Sequence, residues 1–367
     1  MSDATTEVLT FLKEKPKQEL QVVVMPDFFL DRIINLNCTA TDFHSLITGI
    51  LQRKGGSQDG IQQTDLRGGN AVNVASALAA LGVKVTPILC TSKFGLQQLR
   101  YFFRKNTVDT SHIKIFPNAS VTTALEFQTA NGKTNVMLRD VGSLAEFGPA
   151  HLTDDDWSII ELADYVCLFN WAGTQKYGTE LAETVFRRVK TAGKGKTYFA
   201  TADPTPNKTF IPKLLKNVLR TSNVDVLSLN ENETLIYASM LDSSIGKKQG
   251  ALSDKLILYA AEVLADNLKA RIDIHTTSFS LTKTDNRTVT IPAFEVDILR
   301  ATGAGDAWDA GNIVGDAYGL SDEGRLTLAN ATAACYLSDP KAVHPSRLTL
   351  LHFLKIHHSQ IFKSSRV

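Results

Sequence analysis

Short continuous apolar runs alternate along this chain with segments whose apolar positions recur at helical spacing. Strands are predicted at 21–25, 83–90, 165–169, 197–200, 224–229 and 271–275, in most of which branched aliphatic and aromatic residues stand side by side. Between them the spacing predicts helices at 72–81, 94–105, 179–190, 213–220 and 255–267. Unbroken apolar strands separated by helices imply a mostly parallel sheet buried on both faces. Further on, 279–283 opens a hairpin and 288–296 reads as a β-branched strand. A helix then runs to about residue 318, with two more at 326–338 and 348–356.

Two regions break this rhythm. Residues 121–129 and 134–138 alternate apolar with polar, and Asn131-Gly132 between them favours the positive φ of a hairpin turn. Residues 37–67 are polar and glycine-rich around a helix at 43–53. The segments at about 35–66 and 118–140 are therefore expected to form a small lid on an α/β domain spanning 21–357. Residues 1–20 read as a helix and linker outside the core, 113–116 as an edge strand, and 358–367 as a tail.

Composition narrows the function. At 367 residues with 43% apolar and 21% charged positions, the chain can bury one large core. Lysine plus arginine number 39 against 38 acids, which leaves no electrostatic footprint for nucleic acid. No apolar stretch approaches the roughly 20 residues that span a bilayer. The four cysteines lie far apart, as reduced thiols of a cytoplasmic protein do. Gly193-Lys194-Gly195-Lys196-Thr197 ends like a phosphate-binding loop, but Lys190 stands where the first glycine belongs and a strand follows. Trp308 stands where a dinucleotide fingerprint needs its third glycine.

The chemistry concentrates in Thr302-Gly303-Ala304-Gly305-Asp306, at the opening of a helix. The glycines let another molecule approach the backbone, and the free amides and helix dipole there favour an anion such as phosphate. A carboxylate beside an anion hole is costly unless it takes a proton. Asp306 therefore reads as the base that deprotonates an attacking hydroxyl, with Gly303, Ala304 and Gly305 steadying the transferring group. Taken alone, the same run also makes an ordinary helix cap. Gly68-Gly69-Asn70-Ala71-Val72-Asn73 opens a second helix, where Asn73 can donate and accept as a polyol requires. Asp31, just past the first strand, lies where open α/β sheets bind ligands, and Asn230 and Glu233 stand at another strand end.

Three of these stretches together resemble the signatures of the PfkB/ribokinase family of carbohydrate kinases. They are Gly68-Gly69-x-x-x-Asn73-x-Ala75, Asn230-x-x-Glu233 and Thr302-Gly303-Ala304-Gly305-Asp306, in that order. The resemblance covers about 21–357 and implies a ribokinase-like α/β fold with a lid. It implies an enzyme that uses ATP and Mg2+ to phosphorylate a hydroxymethyl group of a sugar, sugar acid or polyol. A nucleoside kinase, or a non-catalytic ligand-sensing member, is the alternative. Residue by residue, Asp31, Gly68, Gly69 and Asn73 would bind the acceptor, and Asp306 would be the base. Asn230 and Glu233 would act on magnesium through water. Thr302, Thr276, Thr277 and Asn330 would line the nucleotide. A homodimer formed through the lid is compatible with the resemblance. Arg300, Pro26 and Thr276-Thr277-Ser278 depart from the family pattern.

Overall fold

The computed structural model describes residues 3–14, 18–104, 108–130, 132–246, 253–284, 287–299 and 302–357. Arg300 and Asn131 lie outside them. In chain order the strands are β1 (Gln21–Met25), β2 (Phe29–Asn35), β3 (Gln62–Gly68), β4 (Lys84–Pro87), β5 (Cys90–Thr91), β6 (Lys114–Ile115) and β7 (Ser120–Thr129). They continue with β8 (Gly132–Asp140), β9 (Tyr165–Phe169), β10 (Lys196–Ala200), β11 (Val226–Asn230), β12 (Arg271–His275), β13 (Phe279–Thr284) and β14 (Arg287–Pro292).

Eight strands form the main sheet in the order β14-β13-β12-β11-β10-β9-β1-β4. From β4 to β12 every pairing is parallel, and β13 and β14 extend the sheet as an antiparallel hairpin. Side chains alternate between two cores, one on each face. Val23, Met25, Val166, Leu168, Phe199 and Leu227 enter one. Val22, Val24, Tyr165, Cys167, Tyr198 and Val226 enter the other. This α/β architecture is the one that the apolar runs predict.

Four segments differ from expectation. The N-terminal helix Asp3–Lys13 is part of the core: Val8, Leu9 and Leu12 are buried in the cluster that holds Leu350 and Leu354. Its Glu7 accepts from the Ser321 amide and hydroxyl at 2.8 and 2.5 Å. The predicted 83–90 strand divides, because β4 ends at Pro87 and Cys90 pairs with Lys114 in a separate two-stranded sheet. The predicted 288–296 strand stops at Pro292. Asp31 lies within β2, which belongs to a second sheet ordered β3-β2-β7-β8. That sheet and the helix Ala40–Gln52 account for the polar, alternating regions. Among the described residues no helix is long and apolar enough to cross a membrane.

Candidate active site

Two helix openings meet at the site. The helix Ala304–Ala317 starts from Gly303, whose φ of +87° lies in the left-handed region that glycine adopts without strain. A Cβ there would stand 2.9 Å from the Tyr336 hydroxyl, and one on Gly305 2.9 Å from His275 Cε1. Gly303, at the cap position, has no side chain to bond the first amides of this helix, which suits them to a ligand.

Asp306, only 6% exposed, projects from the first turn toward the helix Asn70–Ala80. There Asn70 Nδ2 donates to its Oδ1 at 2.7 Å, and Asn73 Nδ2 to its Oδ2 at 2.8 Å. Burial pushes the Asp306 carboxyl up to about 8; the two amides oppose this, and the carboxyls of Asp309 and Asp27 add to it. A carboxylate held by neutral donors, with no ion pair among the described residues, is well placed to accept a proton.

Asp27 organises the opposite side. Its carboxylate accepts from the Asn70 and Ala71 amides at 2.8 and 2.9 Å and from Asn170 Nδ2 at 2.8 Å. It thereby caps the helix that carries Asn70 and Asn73. Gly69, with φ +95°, is needed here, because a Cβ would meet Asp27 and Phe28 at 3.0 Å. Asp31 packs under Gly68 so closely that a Cβ there would lie 2.0 Å from its Oδ2. Asp31 Oδ1 is buried without a hydrogen-bond partner among the described residues. Burial raises this carboxyl to about 6, with the Thr122 side chain and Arg139 opposing and Asp27 adding. Asp31, Thr122 and Arg139 form one cross-strand row, and the Arg139 guanidinium lies 4.9 Å over the Phe29 ring.

Asn230 and Glu233 form a reciprocal cap on the helix Glu231–Leu241. Glu233 Oε2 and Oε1 accept from Asn230 N and Nδ2 at 3.0 and 2.9 Å, and Asn230 Oδ1 accepts from Glu233 N at 2.9 Å. Burial lifts the Glu233 carboxyl to about 7, and Asp203, Asp306 and Glu231 push it the same way. Among the described residues no cluster of three or more metal-ligating side chains stands preformed.

The residues expected near a nucleotide divide. Thr302 is exposed just before the helix opening. Thr276 Oγ1 closes the β12–β13 turn by donating to Phe279 O at 2.8 Å, and the Thr277 amide donates to Glu231 Oε1 at 2.6 Å. Asn330 is a structural tie. Its Nδ2 donates to Ile291 O and Pro292 O, and its Oδ1 accepts from Trp308 Nε1, so both donors are spent inside the fold. Sequence reasoning passed over three neighbours. Asn70 sits inside the first glycine motif and was legible there. Asp27 was overshadowed by Asp31. His275, whose ring lies against Gly305 and 5.1 Å from Trp308, left no signal at the end of its strand.

The family model described as pfkB family carbohydrate kinase matches residues 47–348. A search of curated proteins finds no match. Among solved structures, an Arabidopsis thaliana ribokinase complexed with ribose and ATP is 19% identical, with a TM-score of 0.69 over 92% of this chain and 99% of that one. An adenosine kinase from Sinorhizobium meliloti is 17% identical, TM-score 0.68, covering 92% and 99%. A fructokinase with bound ATP from Xylella fastidiosa is 16% identical, TM-score 0.68, also covering 92% and 99%.

Proposed function

We propose that this chain, which belongs to the pfkB family of carbohydrate kinases, transfers a phosphoryl group from ATP to a hydroxymethyl group of a sugar, sugar acid or related polyol. The observation that carries this reading is Asp306, a buried carboxyl at a helix opening that starts from glycine, gripped by Asn70 and Asn73. In this reading Asp306 takes the proton of the attacking hydroxyl, and the amides of Gly303, Ala304 and Gly305 stabilise the charge that builds on the phosphoryl oxygens. Asp31 accepts from an acceptor hydroxyl through its unpartnered oxygen. Asn73, Gly68 and Gly69 complete that pocket, and Thr302, Thr276 and Thr277 line the nucleotide side. The β3-β2-β7-β8 sheet serves as the lid that excludes water, which would otherwise take the phosphoryl group.

Asn230 and Glu233 suit a hydrated magnesium ion, which prefers oxygen ligands and keeps several waters. Glu233 is a buried carboxyl with Asp203 and Glu231 near it and no ion pair among the described residues, so a divalent cation would relieve their repulsion. When bound, the ion neutralises phosphate charge; Asn230 and Glu233 would hold it through water. A nucleoside acceptor would be favoured by an apolar or aromatic wall beside Asp31. Phe29, two positions away in the same strand, is buried and carries the Arg139 guanidinium over its ring, which favours a polyol. The test is coupled ADP release with ATP and magnesium across sugars, sugar acids, inositols and nucleosides. A rate that depends on a polyol supports the reading. A rate confined to nucleosides replaces it with the nucleoside alternative, and silence across the panel removes it.

A further inference from the structure

A cluster of one cation and two rings, unused by this chemistry, lies against the opening of the Asp306 helix. It gathers Arg67 from the end of β3, Tyr336 from the helix Asp322–Leu337, and His344 from the loop that follows. Arg67 Nη2 stands 2.9 Å from His344 Nδ1. The His344 ring stacks on Tyr336 at 4.5 Å and 16°, and the Tyr336 hydroxyl occupies the space that a Cβ on Gly303 would need. The cluster therefore touches the residue that starts the helix.

The protonation of this cluster follows from its burial. His344 is 5% exposed, and burial together with Arg67 holds its pKa well below the ordinary histidine value. A neutral ring that accepts from Arg67 at Nδ1 carries its proton on Nε2. Two N–H groups are then buried with no hydrogen-bond partner among the described residues, Arg67 Nε and His344 Nε2. Nor does any described carboxylate form an ion pair with Arg67. Asp306 lies within electrostatic range of it, yet both Asp306 oxygens are held by asparagines. Buried donors and an uncompensated guanidinium are costly unless an anion joins them.

We infer that Arg67, positioned by His344, is a further anion-binding group at Gly303 that takes an oxygen of the phosphoryl group in transit. The inference rests on the kinase reading above. A guanidinium is always charged and donates in a fixed fork, which matches phosphoryl oxygens. Phosphoryl oxygens could also come from an acceptor that already carries a phosphate, and kinetics separates the two sources.

The experiment compares full-length wild type with Arg67→Met, Arg67→Lys and His344→Gln, by inorganic phosphate binding in calorimetry and by steady-state kinetics with ATP and magnesium. Arg67→Met should weaken phosphate binding about tenfold or more. It should lower kcat about 100-fold while the acceptor KM holds. Arg67→Lys, which keeps the charge but not the fork, should recover part of both relative to Arg67→Met, and His344→Gln should fall between wild type and Arg67→Met. Should Arg67→Met fail to fold, Arg67→Gln, which can still donate to His344, replaces it. Wild-type phosphate affinity and kcat in the neutral variant would overturn the inference, as would a loss confined to the acceptor KM. If the wild type phosphorylates nothing in the panel, the kinase reading fails, and the phosphate titration still decides the role of Arg67.

Discussion

Gly68→Ala is expected to damage acceptor binding through one carboxylate. Gly68 is outside the left-handed region, so alanine suits its backbone and only space is at issue. The added Cβ would lie 2.0, 2.2 and 2.3 Å from Asp31 Oδ2, Cγ and Oδ1. Carbon contacts settle near about 3.5 Å, so a shift of a few tenths cannot absorb the overlap. Either the β2–β3 pairing opens, at about 1–3 kcal/mol, or the Asp31 carboxylate swings away from the acceptor. A hydrogen bond to a charged group contributes about 1.5–3 kcal/mol, which is roughly 10- to 150-fold in acceptor KM. The Asp306 contacts are untouched, so kcat should hold. The assay is a double-mutant cycle of Gly68→Ala and Asp31→Ala in steady-state kinetics. With the carboxylate gone the three atoms nearest the added Cβ are gone too, so the double variant should match Asp31→Ala alone. Additive losses, or a wild-type KM in Gly68→Ala, would refute the reasoning.

Asp27→Ala removes the acceptor of two helix-opening amides and of Asn170, and should cost about 1–3 kcal/mol of stability in denaturant melts; an unchanged midpoint would remove Asp27 as a cap. Glu233→Gln should keep the helix cap yet raise the magnesium concentration needed for half-maximal rate by about tenfold or more; an unchanged requirement would free Glu233 from the metal. Burial pushes the carboxyls of Asp306, Asp309 and Glu233 up to about 8, 7 and 7, so the folded state binds more protons than the unfolded one from the ordinary carboxylate range up to about pH 8. Stability of the unliganded protein should therefore fall as pH rises through that window, more shallowly in Asp306→Asn. A flat or rising melting temperature would contradict those shifts.

Much of this architecture is legible because burial on two faces writes itself into local sequence. Tyr165–Phe169 matches its predicted strand residue for residue, since it is an apolar run set between polar neighbours; Arg271–His275 also matches its predicted bounds, with Ile272 and Ile274 alternating with polar residues. The helix opening at Ala304 and the left-handed Gly82 that ends the Asn70–Ala80 helix were readable from glycine placement. What failed depended on partners far along the chain. The N-terminal helix buries Val8, Leu9 and Leu12 against residues more than 300 positions away, which no local pattern reveals. Phe29–Asn35 escaped as a strand because its outward face is mixed, and its pairing with β3 and β7 sets its place. Asn330 resembled a nucleotide contact until its donors were seen spent on Ile291 and Pro292. Asp27, Arg67 and His344 matter through contacts with other segments, so their spacing carried no signal.

The central claim is that Asp306 is the base of a phosphoryl transfer. It is tested most directly by following label from the terminal phosphate of ATP into a polyol acceptor, with wild type and Asp306→Asn side by side. The account predicts transfer by the wild type and a rate lower by about 1000-fold or more in the variant, with nucleotide binding retained. Transfer by Asp306→Asn at a near wild-type rate would contradict it.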